Sequence, residues 1–213
     1  MSIDVATLPL VGGHAALDLV NTVTPRVAVR GETPRDHLAV PEDLLVWSRR
    51  AGLTLSGEEA AIRAAWHADP GAAPAALEAV REIREALHDA LTGAGRSGVA
   101  LDRLHLRWSA ATARARLALD KGRPVVRVGE VPAHAVPDRA ADAAVALIRT
   151  ADLTALRRCP VELGGCGWLF LDLSRNRTRR WCRMADCGTT AKSHRLTERR
   201  RAARAEGLPV SGD

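Results

Sequence analysis

Four cysteines fall in the last third of the chain as Cys159-x6-Cys166-x15-Cys182-x4-Cys187, and the sequence holds no others. Two close pairs separated this way can bring four thiolates to the corners of one tetrahedron, the arrangement that Zn2+ takes at a structural site. The spacers are longer than a tight C-x2-C knuckle, so spacing alone leaves two disulfides as the alternative. The compartment bears on the choice. Met1-Ser-Ile-Asp-Val lacks the basic and apolar regions of a secretory signal, and no run reaches the ~18 apolar residues of a membrane span. The chain therefore reads as cytoplasmic, with no membrane partner, and disulfides are rare there. A site closed by four protein ligands has no open position, so the metal is expected to be structural and no residue is assigned to catalysis.

The second chemical feature is the company these cysteines keep. The net charge is +6, yet residues 1–156 carry 18 basic and 19 acidic side chains, whereas residues 157–213 carry 13 and 6. The positive field belongs to the cysteine-bearing tail, as expected where one part of a chain meets a polyanion. A helix predicted from about Thr189 to Ala205 is polar nearly all round, with Leu196 its only large apolar residue. Such a helix is not a core element. Its Lys192, His194, Arg195, Arg199, Arg200 and Arg204 are candidate contacts to DNA, joined by Arg175, Asn176, Arg177, Arg179 and Arg180 from the turn between the cysteine pairs. About six phosphate contacts predict a slope near −5 in log K against log salt. The plain alternative is a solvated basic tail.

The elements that must position these groups follow from apolar spacing. Val11 to Val23 reads as a short strand or a strand running into a helix, and residues 24–40 as a loop. Pro41 followed by two acids opens a helix that stops at Gly52, and Ser56-Gly-Glu-Glu opens a second that runs to about His67. Leu77, Val80, Ile83, Leu87 and Leu91 predict a long amphipathic helix. A short helix follows around Leu101–Trp108, then a hairpin over residues 115–128 turning at Lys121-Gly122, then a helix from Pro137. In the tail, Trp168-Leu-Phe-Leu is expected as a strand that pairs with Arg179-Arg-Trp-Cys182 across a polar turn at residues 174–178. The fold class is thus α+β: a helix-rich domain with a small sheet over residues 1–152, and a treble-clef-like zinc finger over 153–213.

These motifs carry a resemblance. Cys166-Gly-Trp-Leu-Phe-Leu-Asp-Leu-Ser-Arg-Asn, followed by Arg179-Arg-Trp-Cys-Arg-Met-Ala-Asp-Cys-Gly, resembles the CGNR zinc-finger family. Gly12-Gly-His-Ala-Ala-Leu-Asp-Leu-Val-Asn-Thr and Asp43-Leu-Leu-Val-Trp resemble the ABATE domain that accompanies that finger. The resemblance implies a stress-responsive transcription regulator, with Cys159, Cys166, Cys182 and Cys187 as zinc ligands, DNA as partner and an N-terminal domain that senses a ligand or dimerises. Two departures are visible. The family's naming motif reads Cys187-Gly188-Thr189-Thr190 here, which removes an Arg from the helix start, and the first pair carries extra residues at Leu163-Gly-Gly165.

His14, Asp18 and Asn21, with Thr22, form a polar cluster in an apolar segment; they can line a small-molecule pocket or bond backbone amides at a junction. Trp47, Trp66 and Trp108 fall on apolar helix faces and are expected in the core. No GxSxG, HExxH, P-loop or dinucleotide fingerprint occurs. The competing functions are a zinc-containing small-molecule-binding protein or enzyme without DNA binding, and a module that grips RNA or an acidic partner.

Overall fold

The computed structural model of the chain describes residues 4–29, 31–93, 97–193 and 197. In chain order its elements are α1 (Ala15–Val20), β1 (Val23–Thr24), β2 (Arg35–Asp36), α2 (Pro41–Arg50), α3 (Glu58–Ala68), α4 (Ala72–Thr92), α5 (Ser97–Ala113), β3 (Arg116–Asp120), β4 (Arg123–Arg127), α6 (Ala135–Thr150), β5 (Leu156–Arg158) and β6 (Leu169–Leu171). Three two-stranded antiparallel pairings, β1–β2, β3–β4 and β5–β6, accompany the helices. The class is α+β and helix-rich.

α4 forms because its apolar residues recur at helical steps, and Leu77, Val80, Ile83 and Leu87 are all buried. It packs against α5, α6, α1 and α2. α2 starts where Pro41 needs no N–H partner and where Asp43 Oδ2 accepts the Ala39 and Val40 amides at 2.8 and 2.9 Å. Trp47 and Trp66 are buried in this core, and Trp108 lies half-buried against it. Truncating Ile83 to Ala would leave a void at its centre and cost about 2–5 kcal/mol.

A charged cluster fixes the β1–β2 segment onto α4. Arg84 is 4% exposed and donates to both Asp36 oxygens at 2.7 and 2.8 Å, to Thr22 Oγ1 and to Glu85. Arg26 closes on Glu85 from the other side at 2.8 Å. Burial pushes the Asp36 carboxyl up, but the hydrogen bonds and charge of Arg84 outweigh it and hold it below the ordinary value.

Some expectations need correcting here. Within Val11–Val23 the helix α1 covers Ala15–Val20 and no strand precedes it, because His14 caps the chain: its Nδ1 accepts the Ala16 amide at 3.2 Å. The helix expected near Leu101–Trp108 is the much longer α5, which takes in Gly98. In the tail, β6 pairs with β5, ahead of the first cysteine, while residues 179–182 form no strand. That stretch has other partners for its polar groups, described below.

Candidate metal centre

The first cysteine pair sits on a loop between paired strands. β5 and β6 run antiparallel with Arg158 opposite Leu169, and the Cys159 amide donates to Trp168 O at 2.8 Å, so the chain must reverse between them. It does so through a 3-10 turn at Val161–Leu163 and a left-handed Gly164. Gly164 and Gly165 make room. A Cβ on Gly165 would lie 2.6 Å from Cys159 Sγ and 2.8 Å from Pro160 O. Only hydrogen fits between that backbone and the sulfur.

The second pair arrives differently. Asp172 receives the Ser174 amide, the Ser174 hydroxyl and, at 2.9 Å, the Arg179 amide, and these bonds close residues 172–179 into a turn. They also hold the Asp172 carboxyl below its ordinary value. Arg179 then folds inward. Its guanidinium stacks 4.3 Å over the Phe170 ring and donates to Val11 O at 3.1 Å, Trp181 O at 3.1 Å and Cys182 O. This is why residues 179–182 make no ladder. A π-helical turn at Met184–Gly188 carries Cys187, and residues 189–193 continue as α-helix.

These two loops bring all four sulfurs within 4.8 Å of one another. Cys166 and Cys182 Sγ are 3.4 Å apart, and Cys182 and Cys187 Sγ 3.7 Å. Disulfide sulfurs would be bonded at about 2.0 Å; these four are free thiols. The edge of a tetrahedron of thiolates around Zn2+ is about 3.8 Å. The sulfurs divide their protons unequally. Hydrogen bonds from Cys166, Cys182 and Cys187 push the Cys159 thiol down. The Cys166 and Cys182 thiols are pushed up, first by the interaction with Cys159. Four thiolates at this spacing need a cation between them. The donor set fits zinc, which would be held by Cys159, Cys166, Cys182 and Cys187, and would supply a fixed charge and a cross-link rather than an open coordination position.

The centre is also built into the N-terminal part of the chain. Leu8 packs with Cys159, Trp168, Phe170, Trp181 and Cys182, and Val11 lies against them. Arg26 N donates to Cys166 O, Trp168 Nε1 to Val23 O at 2.9 Å, and Leu171 N to Gly12 O at 2.8 Å. Asn21 completes the seam. Its Nδ2 donates to Leu169 O at 2.8 Å and its Oδ1 accepts Leu169 N at 3.0 Å, so one side-chain amide pairs the outer edge of β6 as a neighbouring strand would.

Residues 13–151 match the family described as "Putative stress-induced transcription regulator", ABATE, which is well over half of the chain. The chain belongs to the ABATE family. Residues 156–200 match the CGNR zinc finger, and the four-sulfur cluster, close enough to hold a metal ion, lies within that stretch. No curated protein matches the chain. Among the described residues no helix is long and apolar enough to cross a membrane.

Within the ABATE region, the polar cluster singled out from sequence is engaged in backbone bonds. Asp18 Oδ1 accepts the Gly12 amide at 2.8 Å, and Asn21 is wholly buried against β6. Burial raises the Asp18 carboxyl to about 6 in spite of amide bonds from Gly12 and Val11 and the charge of Arg50. Burial lowers the His14 imidazole. A cavity of about 460 Å³ lies elsewhere, between α3 and α6, lined by Glu58, Ile62, Arg116, Val131 and Arg139 among others.

The basic residues of the CGNR finger divide. Arg175, Asn176 and Arg180 are exposed on its turn, and Lys192 is exposed on the helix that follows. Arg177 is exposed too, but pairs with Asp152 at 2.7 Å. Arg179, expected at a phosphate, is turned into the finger's own core and is not available to one. His194, Arg195, Arg199, Arg200 and Arg204 lie outside the described residues. Sequence reasoning passed over exposed Arg158 and Arg183, which flank Cys159 and Cys182. Their place beside the cysteines was the signal. It also passed over Gly165 as the residue that admits the Cys159 sulfur.

Proposed function

We propose that this chain is a zinc-dependent, DNA-binding transcription regulator of the cytoplasm, with residues 1–152 as an input domain and 153–213 as the DNA-contacting finger. The observation that carries the reading is the division of labour among the finger's arginines. Arg179 locks the turn from inside, while Arg175 and Arg180 are exposed outside it and Arg183, 3.4 Å from Asp186, is exposed next to Cys182, with Arg158 and Lys192 near Cys159 and Cys187 in sequence. A metal cross-link that fixes the backbone under a set of exposed guanidinium groups suits recognition of a phosphate backbone. Asn176 is the candidate base reader of the turn. Membership of the ABATE family supports the regulatory role, and the seam from Asn21 to Leu169 supplies a path by which a change at α1 reaches the finger.

The test is binding of the zinc-loaded chain to its own upstream promoter duplex, followed by fluorescence anisotropy across a salt series. Four or five phosphate contacts give a slope near −4 in log K against log salt, and removal of the metal by chelator abolishes binding. Absence of binding, or a slope near zero, overturns the reading.

A further inference from the structure

The β3–β4 hairpin leaves an apolar face in solvent. Leu117, Leu119 and Val126 are 84%, 68% and 63% exposed, and Pro124 beside them is exposed as well. The register pairs Leu117 with Val126 and Leu119 with Pro124, so all four lie on one face of the hairpin. Among the described residues the sheet has only these two strands. A two-stranded hairpin with an uncovered apolar face is marginal by itself.

Its two edges are not alike. Lys121 and Gly122 both have positive φ, which makes the connection a two-residue turn whose flanking pair, Asp120 and Arg123, is hydrogen-bonded. Alternation then makes Ala118–Val125 and Arg116–Arg127 the other bonded pairs, and leaves the N–H and C=O groups of Leu117 and Leu119 pointing out from the free edge of β3. On β4 the corresponding outward position is Pro124, which has no N–H, and the strand is flanked by Arg123 and Arg127. That edge is closed to further pairing. β3 has no such block.

The sequence of β3, Arg-Leu-Ala-Leu-Asp, is complementary to itself when reversed. Antiparallel pairing of two copies about Ala118 sets Leu117 opposite Leu119 of the second copy, with four backbone hydrogen bonds between them. It sets Arg116 opposite Asp120 of the second copy twice over, and places the small Ala118 against itself where the strands approach most closely. The same operation on β4, Arg-Pro-Val-Val-Arg, sets like charges opposite one another. We propose that the free edge of β3 is a homodimerisation surface, on which a second copy of this chain adds its own β3 to make a four-stranded antiparallel sheet across a two-fold axis. Each copy's Leu117 then lies beside Leu119 of the other on one face of that sheet. This goes beyond the DNA-binding reading and does not depend on it.

Five residues from each copy bury less than a standard interface, so the dimer is weak and depends on concentration. Sedimentation of the full zinc-loaded chain from about 1 to about 200 µM tests it across the range such an interface requires. The wild-type chain should pass from monomer to dimer. Asp120→Arg, which places like charges at both ends, should weaken association by about 30-fold. Adding Arg116→Asp to it restores complementarity and should restore the dimer. Leu119→Pro, which removes an outward N–H as Pro124 does on β4, together with the leucine side chain, but no bond to β4, should give a monomer with unchanged helicity. A wild-type chain that stays monomeric, an Asp120→Arg or Leu119→Pro chain that still dimerises, or a double variant that fails to recover would each overturn the proposal.

Discussion

Asn21→Ala removes a side chain that is 0% exposed and that pairs both backbone groups of Leu169, a residue itself 2% exposed. The alternation of the β5–β6 ladder turns these two groups away from β5: Cys159 N donates to Trp168 O and Asp172 N to Ala155 O on the inner side, leaving Leu169 and Leu171 to bond outward. Without the amide, one buried N–H and one buried C=O lose their partners at about 1–3 kcal/mol each. Water entering the space left by the side chain brings the sum toward the low end, about 2–3 kcal/mol. A chain of this length loses about 2–4 °C in Tm for each kcal/mol, so the midpoint should fall by about 4–12 °C. Guanidinium titration of the zinc-loaded chain, followed by circular dichroism and tryptophan fluorescence, reads the free energy, and Trp168 reports from the same seam. Asn21→Asp keeps an acceptor for the Leu169 amide but sets a carboxylate oxygen against the Leu169 carbonyl, so it should be worse at pH 7 than at pH 4. A change in Asn21→Ala below about 0.5 kcal/mol, as at an ordinary surface site, would refute the reasoning.

Three further outcomes follow from the same geometry. Gly165→Ala puts a methyl 2.6 Å from Cys159 Sγ, so chelator competition should show metal affinity reduced by at least about 10-fold, and an unchanged affinity would contradict the close approach. Arg179→Ala should cost about 2–4 kcal/mol in unfolding titrations because it empties the space over Phe170 and strips three carbonyls, whereas Arg180→Ala should leave stability within about 0.5 kcal/mol and reduce the salt slope of DNA binding by about one; the opposite pattern would reverse their roles. Asp18, raised to about 6, holds its proton in the folded chain where the unfolded chain has already lost it, so stability is present below about pH 4 and falls by up to about 3 kcal/mol as pH climbs through about 6. Asp18→Asn cannot titrate, and pH-dependent unfolding should show that slope gone.

The helices were legible wherever a start signal, an apolar period and a stop signal coincided. Pro41 with its two acids, and Leu77 through Leu87, are examples in which local preference and burial agree. α5 was read as short because Gly98 is a poor helix former, and the packing of Leu104 and Ala111 overrides it. Cys159, Cys166, Cys182 and Cys187 were legible as one cluster because sulfur spacing constrains a tetrahedron more tightly than it constrains a fold. The strand partner of β6 was not. Trp168 to Leu171 can pair with any extended neighbour, and what excludes residues 179–182 is the inward turn of Arg179, a long-range contact that no local pattern announces. The same holds for Asn21. Its type suggests a hydrogen bond, but not that the partner lies 148 residues along the chain.

Elemental analysis of the purified chain, combined with a thiol titration under denaturing conditions, decides whether four sulfurs hold one metal ion. About one zinc per chain is expected, with all four cysteines reactive once the metal is removed and the ion lost from a Cys159→Ser chain. A metal-free chain whose thiols are already paired would contradict it.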